Sequence, residues 1–328
     1  MTGPSSRSAL PVALPGLRPG RERGGVPFLR DADANFQRLT LGFGAVTIAL
    51  AVSMGWTMAA NSRLAWRRFG LPFLWTSTWD PVAEVFGAWP FIWGTLVSSA
   101  LALAIAVPLG LGAAVFLAEV APRRLSDAVA FAIELLAAIP TVIMGLMGIF
   151  ILVPLVRWAE PWLVRTLGFL PFFRGAPYGV GMLAASILLA FIILPYIVSI
   201  TREIMLTVPR PLREAALGLG ATKWEVVRMV VLPYARSGVT GAVFLALGRA
   251  LGETMAVTMV IGNTPQVSLS LLAPGYTMAA VLANEFAEAP SDLYVHSLIA
   301  IGLVLFGITI VVNAIARLMI HRATVRTS

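Results

Sequence analysis

The chain has 328 residues, 58% hydrophobic and only 12% charged, with a mean hydropathy of +0.86. A soluble domain carries about 25% charged residues, so this composition excludes one and indicates an all-α integral membrane protein. The lack of cysteine excludes disulfide frameworks and thiolate metal sites. The net charge of +8 comes from arginines beside apolar segments, which membrane topology explains better than nucleic-acid binding.

In chain order, residues 1–38 are rich in Pro, Gly and Arg and read as a disordered tail. No short apolar stretch with a small-residue cleavage site follows, so the first apolar segment is expected to be an uncleaved anchor. A spanning helix needs about 20 apolar residues. Six segments qualify: 39–60, 91–118, 128–156, 181–200, 238–261 and 295–320, with a short tail over 321–328. Pro108, Pro140, Pro154 and Pro195 are candidate kinks within or at the ends of these segments. The Trp-rich stretch from Trp75 to Trp93 borders a span and suits an interfacial aromatic belt. Glu134 falls inside the third segment. A carboxylate there is a candidate for a transport path or for a hydrogen-bonded structural role.

Most of the 24 Lys and Arg lie in the first tail, in the loop with Arg123 and Arg124, in the loop 205–234 with its flanks, and in the last tail. The opposite side holds Arg63, Arg67, Arg68, Arg157, Arg165 and Arg174. This bias predicts that both termini and the loop 205–234 are cytoplasmic, and that 262–294 faces outward. His296 and His321 are far apart, so no His-based metal site is expected.

The cytoplasmic loop has local helix signals. Pro209 or Pro211 suits a first helical turn, and Gly220 suits a C-terminal turn. Thr222 with Glu225 three residues on forms a capping box. Trp224, Val227, Val230 and Val231 supply an apolar stripe, and Pro233 is expected to end that second helix. These signals alone also fit an amphipathic connector on the membrane surface. The spacing adds more. Glu214-Ala215-Ala216, Gly220 six residues after Glu214, and Val230-Val231-Leu232-Pro233 closely resemble the EAA motif of ABC importer permeases, with Val230 where that family often has Ile. The resemblance implies a type I (MetI-like) permease fold with six transmembrane helices. It also implies that Glu214, Ala215, Ala216, Gly220, Leu232 and Pro233 couple to a cytoplasmic ATPase. Residues 218–223 lack the spacing of a Walker A loop and a Ser or Thr after Lys223. ATP and Mg are therefore expected on a partner ATPase, with no cofactor and no catalytic residue on this chain.

Arg249 and Glu253 fall halfway along the fifth segment, where each costs about 2.5–3.5 kcal/mol on insertion scales. Their i, i+4 spacing would put both on one helix face, able to pair, although Arg before Glu is the weaker order. Two readings stand: an ion pair locking helices together, or a translocation pathway in which the guanidinium fork meets an oxyanion and the carboxylate tempers its hold. The residues from Gly248 to Asn263, with Ala273 to Ala280 and Ala283 to Glu288, resemble the PstC-type permeases of phosphate-specific ABC importers. That resemblance implies inorganic phosphate as cargo and the bacterial inner membrane as location. It implies a PstA-type sister permease, a PstB-type ATPase dimer and a periplasmic phosphate-binding protein as partners, and passage of phosphate past Arg249 and Glu253. A permease for another oxyanion is an alternative. So is an ion-coupled secondary transporter, which the docking loop argues against. Residues 278–289 suit a short helix too short to span, a candidate outward docking or re-entrant element carrying Asn284, Glu285 and Glu288.

Overall fold

The computed structural model describes residues 27–325, with side-chain environments from 35 to 320. Of the expected N-terminal tail, 1–26 lie outside the described residues, while 27–38 already belong to α1 (Pro27–Asn61). At the other end, 321–325 continue the last helix and 326–328 lie outside. The part of α1 up to Met54 forms a unit by itself, and its side chains from Asn35 to Met54 are exposed. Exposed apolar groups such as Leu39, Phe43 and Ile48 cost nothing against lipid tails, which are as apolar as they are.

The second unit begins at Gly55. It contains α2 (Arg63–Phe69), α3 (Trp89–Val115), α4 (Arg123–Ala137), α5 (Thr141–Met147), α6 (Val153–Leu167), α7 (Met182–Leu206), α8 (Arg210–Gly218), α9 (Lys223–Val226), α10 (Leu232–Gly252), α11 (Met255–Ile261), α12 (Met278–Glu285) and α13 (Asp292–Val325). Among the described residues, six helical stretches are long and apolar enough to cross a membrane: Asn35–Asn61, Trp89–Val120, Thr141–Leu167, Met182–Leu206, Lys223–Gly252 and Asp292–Ile320.

Two of these differ from the sequence expectation. The apolar run 128–156 is broken at 138–140, ahead of Pro140, so α4 is a separate helix and the span runs over 141–167. The residue before a proline is pushed out of helical geometry. The fifth span starts earlier than expected, at Lys223, because Pro233 does not end the helix. A wide π turn at Val227–Val231 precedes it, with the Leu232 amide bonded to the Val227 carbonyl. Proline lacks an N–H and its ring clashes with the carbonyl four residues back. One surplus residue in the turn moves that carbonyl away. The same device occurs at Gly148–Leu152, ahead of Pro154, and at Phe116–Val120, ahead of Pro122 where the chain turns.

α7 is the central helix, packing against α3, α4, α5, α10 and α11. Small residues bring the backbones together: Ala102 and Ala106 of α3 and Ala246 of α10 are fully buried against Leu189, Ile193 and Ile197 of α7. Between helices in lipid such close van der Waals packing substitutes for hydrophobic burial. A second cluster joins Phe86, Phe91, Tyr276 and Tyr294 around Trp79. Of the expected aromatic belt, Trp75 is exposed, but Trp79 is buried and donates through Nε1 to Glu285 at 2.9 Å. The short helix expected at 278–289 is α12, and its first turn is buried.

Candidate functional site

The segment 238–261, expected from the sequence as one span, unwinds at its charged centre, which is where the observed fifth span ends. α10 stops at Gly252, Glu253 is extended (φ −70°, ψ 123°), and α11 starts at Met255. The expectation that Arg249 and Glu253 share one helix face is therefore corrected. The two residues lie on either side of the point where the helix ends. Among the described residues they form no ion pair. Gly248 and Gly252 weaken the helix here. Glu253 finds other work: it is 8% exposed, and its carboxylate accepts from the Ala256 amide at 3.5 Å, at the start of α11. First-turn amides have no partner inside their own helix, and an anion beside them is favoured by the helix dipole.

Arg249 meets an aromatic face instead. Its guanidinium carbon is 4.6 Å from the ring centroid of Tyr196 on α7, and its Nε is buried without an acceptor. The Tyr196 hydroxyl lies 3.4 Å from the Ala137 carbonyl, which closes α4 at the other helix break. The two segments beyond the breaks, α5 and α11, pack together. A Cβ on Gly145 would come 2.5 Å from the Met259 sulfur. The structure thus gathers two unwound positions, a cation, a carboxylate and a phenol around α7. Sequence reasoning missed Tyr196. Its signal was slight: a polar-tipped aromatic after Pro195 in an otherwise apolar helix.

Glu134 is not part of this group. It is exposed on the amphipathic α4, and the break at 138–140 separates it from the span to which it was assigned. What ties α4 to α7 is Arg202, which donates to the Ser126 hydroxyl at 3.1 and 3.0 Å and pairs with Asp127 at 2.9 Å.

The loop before the fifth span folds as its local signals predict. Pro209 precedes α8 and Pro211 lies in its first turn. Beyond Leu219, Gly220 takes φ +91°. The Ala221 amide then reaches back to the Ala216 carbonyl at 3.1 Å and the Gly220 amide to the Leu217 carbonyl at 3.0 Å. This is a Schellman ending. Thr222 and Glu225 form both halves of the capping box of α9. Glu214, Ala215 and Gly220 are exposed, Ala216 and Leu232 half-buried, and Pro233 exposed. Apolar side chains also reach outward at this tip, with Leu219 90% and Trp224 64% exposed. The projection is anchored by Arg213, which pairs with Glu119 below α3 at 2.9 Å and donates to the Met205 carbonyl at 2.7 Å.

Residues 106–325 match the family model described as "Binding-protein-dependent transport system inner membrane component". The chain belongs to this family. The phosphate transport system permease protein PstC of Mesorhizobium japonicum is 46% identical over 325 residues, covering 98% of this chain and 99% of that protein. Its namesake in Xylella fastidiosa is 48% identical over 302 residues, with 90% and 93% covered. Among solved structures, a bacterial alginate ABC transporter in complex with alginate pentasaccharide-bound periplasmic protein aligns with a TM-score of 0.56. That alignment is 16% identical and covers 89% of this chain and 97% of that one. The likeness establishes an ABC importer permease fold.

The chain is accordingly a multi-pass inner-membrane protein and a transport component, not an enzyme. The family match takes in both helix breaks, the docking loop and Tyr196. It begins within α3 and so leaves out α1 and α2.

Proposed function

We propose that this chain is the permease subunit of an ATP-driven importer of inorganic phosphate. It works beside a PstA-type sister permease, a PstB-type ATPase dimer that binds ATP and Mg, and a phosphate-binding protein outside the membrane. Near-full-length relatives named as phosphate permeases support the cargo. The positive-charge bias supports cytoplasmic termini.

The observation that carries the mechanism is the continuous helix from Lys223 to Gly252, 30 residues long. At about 1.5 Å per residue it is about 45 Å long and carries Arg249 about 39 Å from its start in the docking loop. Glu214, Ala215, Ala216 and Gly220 form the surface that the ATPase grips, and Leu232 and Pro233 form the root of the lever. Movement of α8 and α9 is passed to α3 through the Arg213–Glu119 pair and along α10 to the helix break. There Arg249 offers its guanidinium fork to phosphate, and Glu253 keeps the site from holding a free anion too tightly. Glu134, exposed on α4, is open to a path formed between this chain and its sister, or to a structural contact with it.

The test replaces the chromosomal copy in the native host and follows uptake of radiolabelled phosphate. Arg249→Ala is expected to lower uptake at least about tenfold, the loss of one charge-assisted contact, with unchanged membrane levels. Full uptake by that variant refutes the pathway. In the purified complex, equal stimulation of ATP hydrolysis by binding protein loaded with phosphate or with sulfate refutes the cargo.

A further inference from the structure

Cations inside membrane helices pair with carboxylates or with backbone carbonyls. Arg249 has neither among the described residues; its contact is the Tyr196 ring. The helix surface beside it is open. A Cβ built on Gly248 or on Gly252 would meet nothing within 4 Å. An aromatic face holds a guanidinium through the ring quadrupole, more strongly where water is scarce. Unlike a carboxylate, it uses none of the five N–H donors and adds no negative charge to repel an incoming anion.

We infer that Tyr196 is the positioning residue of the transport site. Its ring fixes the orientation of Arg249 without occupying an N–H donor, so that the terminal NH2 groups of the guanidinium, rather than the buried Nε, meet an oxyanion entering the open space beside Gly248 and Gly252. The hydroxyl, 3.4 Å from the Ala137 carbonyl, steadies the ring against the end of α4. This rests on the reading of Arg249 as part of the phosphate path.

The test uses the complete importer in its native membrane, with uptake of radiolabelled phosphate measured at matched membrane levels. Tyr196→Phe and Tyr196→Trp keep the aromatic face and are expected to stay within about threefold of the parent. Tyr196→Leu is expected to fall about tenfold, from loss of the cation–π contact in a desolvated site. A mere packing role predicts another order, with Leu tolerated and the oversized Trp worst. Tyr196→Met supplies a second aliphatic variant should Leu impair insertion. Parental uptake by the aliphatic variants, or a fall in Tyr196→Phe equal to theirs, overturns the inference while the Arg249→Ala defect stands. Intact uptake by Arg249→Ala overturns the pathway reading itself.

Discussion

The anchor beneath the docking loop gives the most quantitative prediction. Arg213 and Glu119 are 2.9 Å apart, with 20% and 12% of their side-chain surfaces exposed. At an effective dielectric of about 20 their gross attraction is about 6 kcal/mol. Desolvation offsets most of it. Removing one partner of a fully buried pair costs about 3–5 kcal/mol, and an exposed pair contributes about 0–1 kcal/mol. This partly buried pair should contribute about 2 kcal/mol, between those limits. The bond from Arg213 to the Met205 carbonyl adds about 1 kcal/mol. Arg213→Ala should therefore destabilise by about 3 kcal/mol and Glu119→Gln by about 2 kcal/mol. The double variant should be no worse than Arg213→Ala alone, a coupling of about 2 kcal/mol. Equilibrium unfolding of the four proteins in mixed micelles measures this cycle. Additivity within about 0.5 kcal/mol would mean that the pair does not join α8 to α3, and the proposed route of force into α3 would be lost.

Three further outcomes are expected. A Cβ on Gly94 would run into the Tyr276 carbonyl oxygen, a backbone atom that cannot step aside. Gly94→Ala should thus lower the amount of inserted protein several-fold on quantitative immunoblots, and a parental level would contradict this contact. At Gly220, where φ is +91° and the space is open, alanine should cost about 1–2 kcal/mol of backbone strain. Uptake should fall in Gly220→Ala and largely recover in Gly220→Asn, which tolerates the left-handed region better; equal uptake by the two variants would argue against strain as the cause. Because the chain has no cysteine, single Cys substitutions can report its orientation. In intact cells an impermeant maleimide should label Glu288→Cys but reach Thr222→Cys only after permeabilisation, and the reverse pattern would invert the topology.

Local chemistry was the most legible part of the sequence. Thr222 with Glu225, and Gly220 after a helix, act over a few residues, and the loop folds as they predict. The number of spans was legible too, because each apolar run is long. Breaks within those runs were not. Hydropathy summed over 128–156 is blind to the unwinding at 138–140. It also stops inside α6, where Arg157, Glu160 and Arg165 extend the helix beyond the apolar stretch. The placement of Glu134 failed for that reason. The i, i+4 pairing of Arg249 with Glu253 assumed an unbroken helix. Nothing local except Gly248 and Gly252 hinted that Glu253 would leave the helix and turn its carboxylate to the first turn of the next one. Pro233 misled in the opposite direction, since a single wide turn absorbed it. Tyr196 acquires its role only when α7 and α10 are brought together, which no linear pattern encodes.

The wide turn at Val227–Val231 has a rotational consequence as well. Each residue added to a helix advances its azimuth by about 100°. If the surplus residue were removed, every side chain from Leu232 to Gly252 would turn by that angle relative to α9. Arg249 would swing away from α7 and off the Tyr196 ring. The phase between the two ends of this long helix is set by one extra residue ahead of a proline.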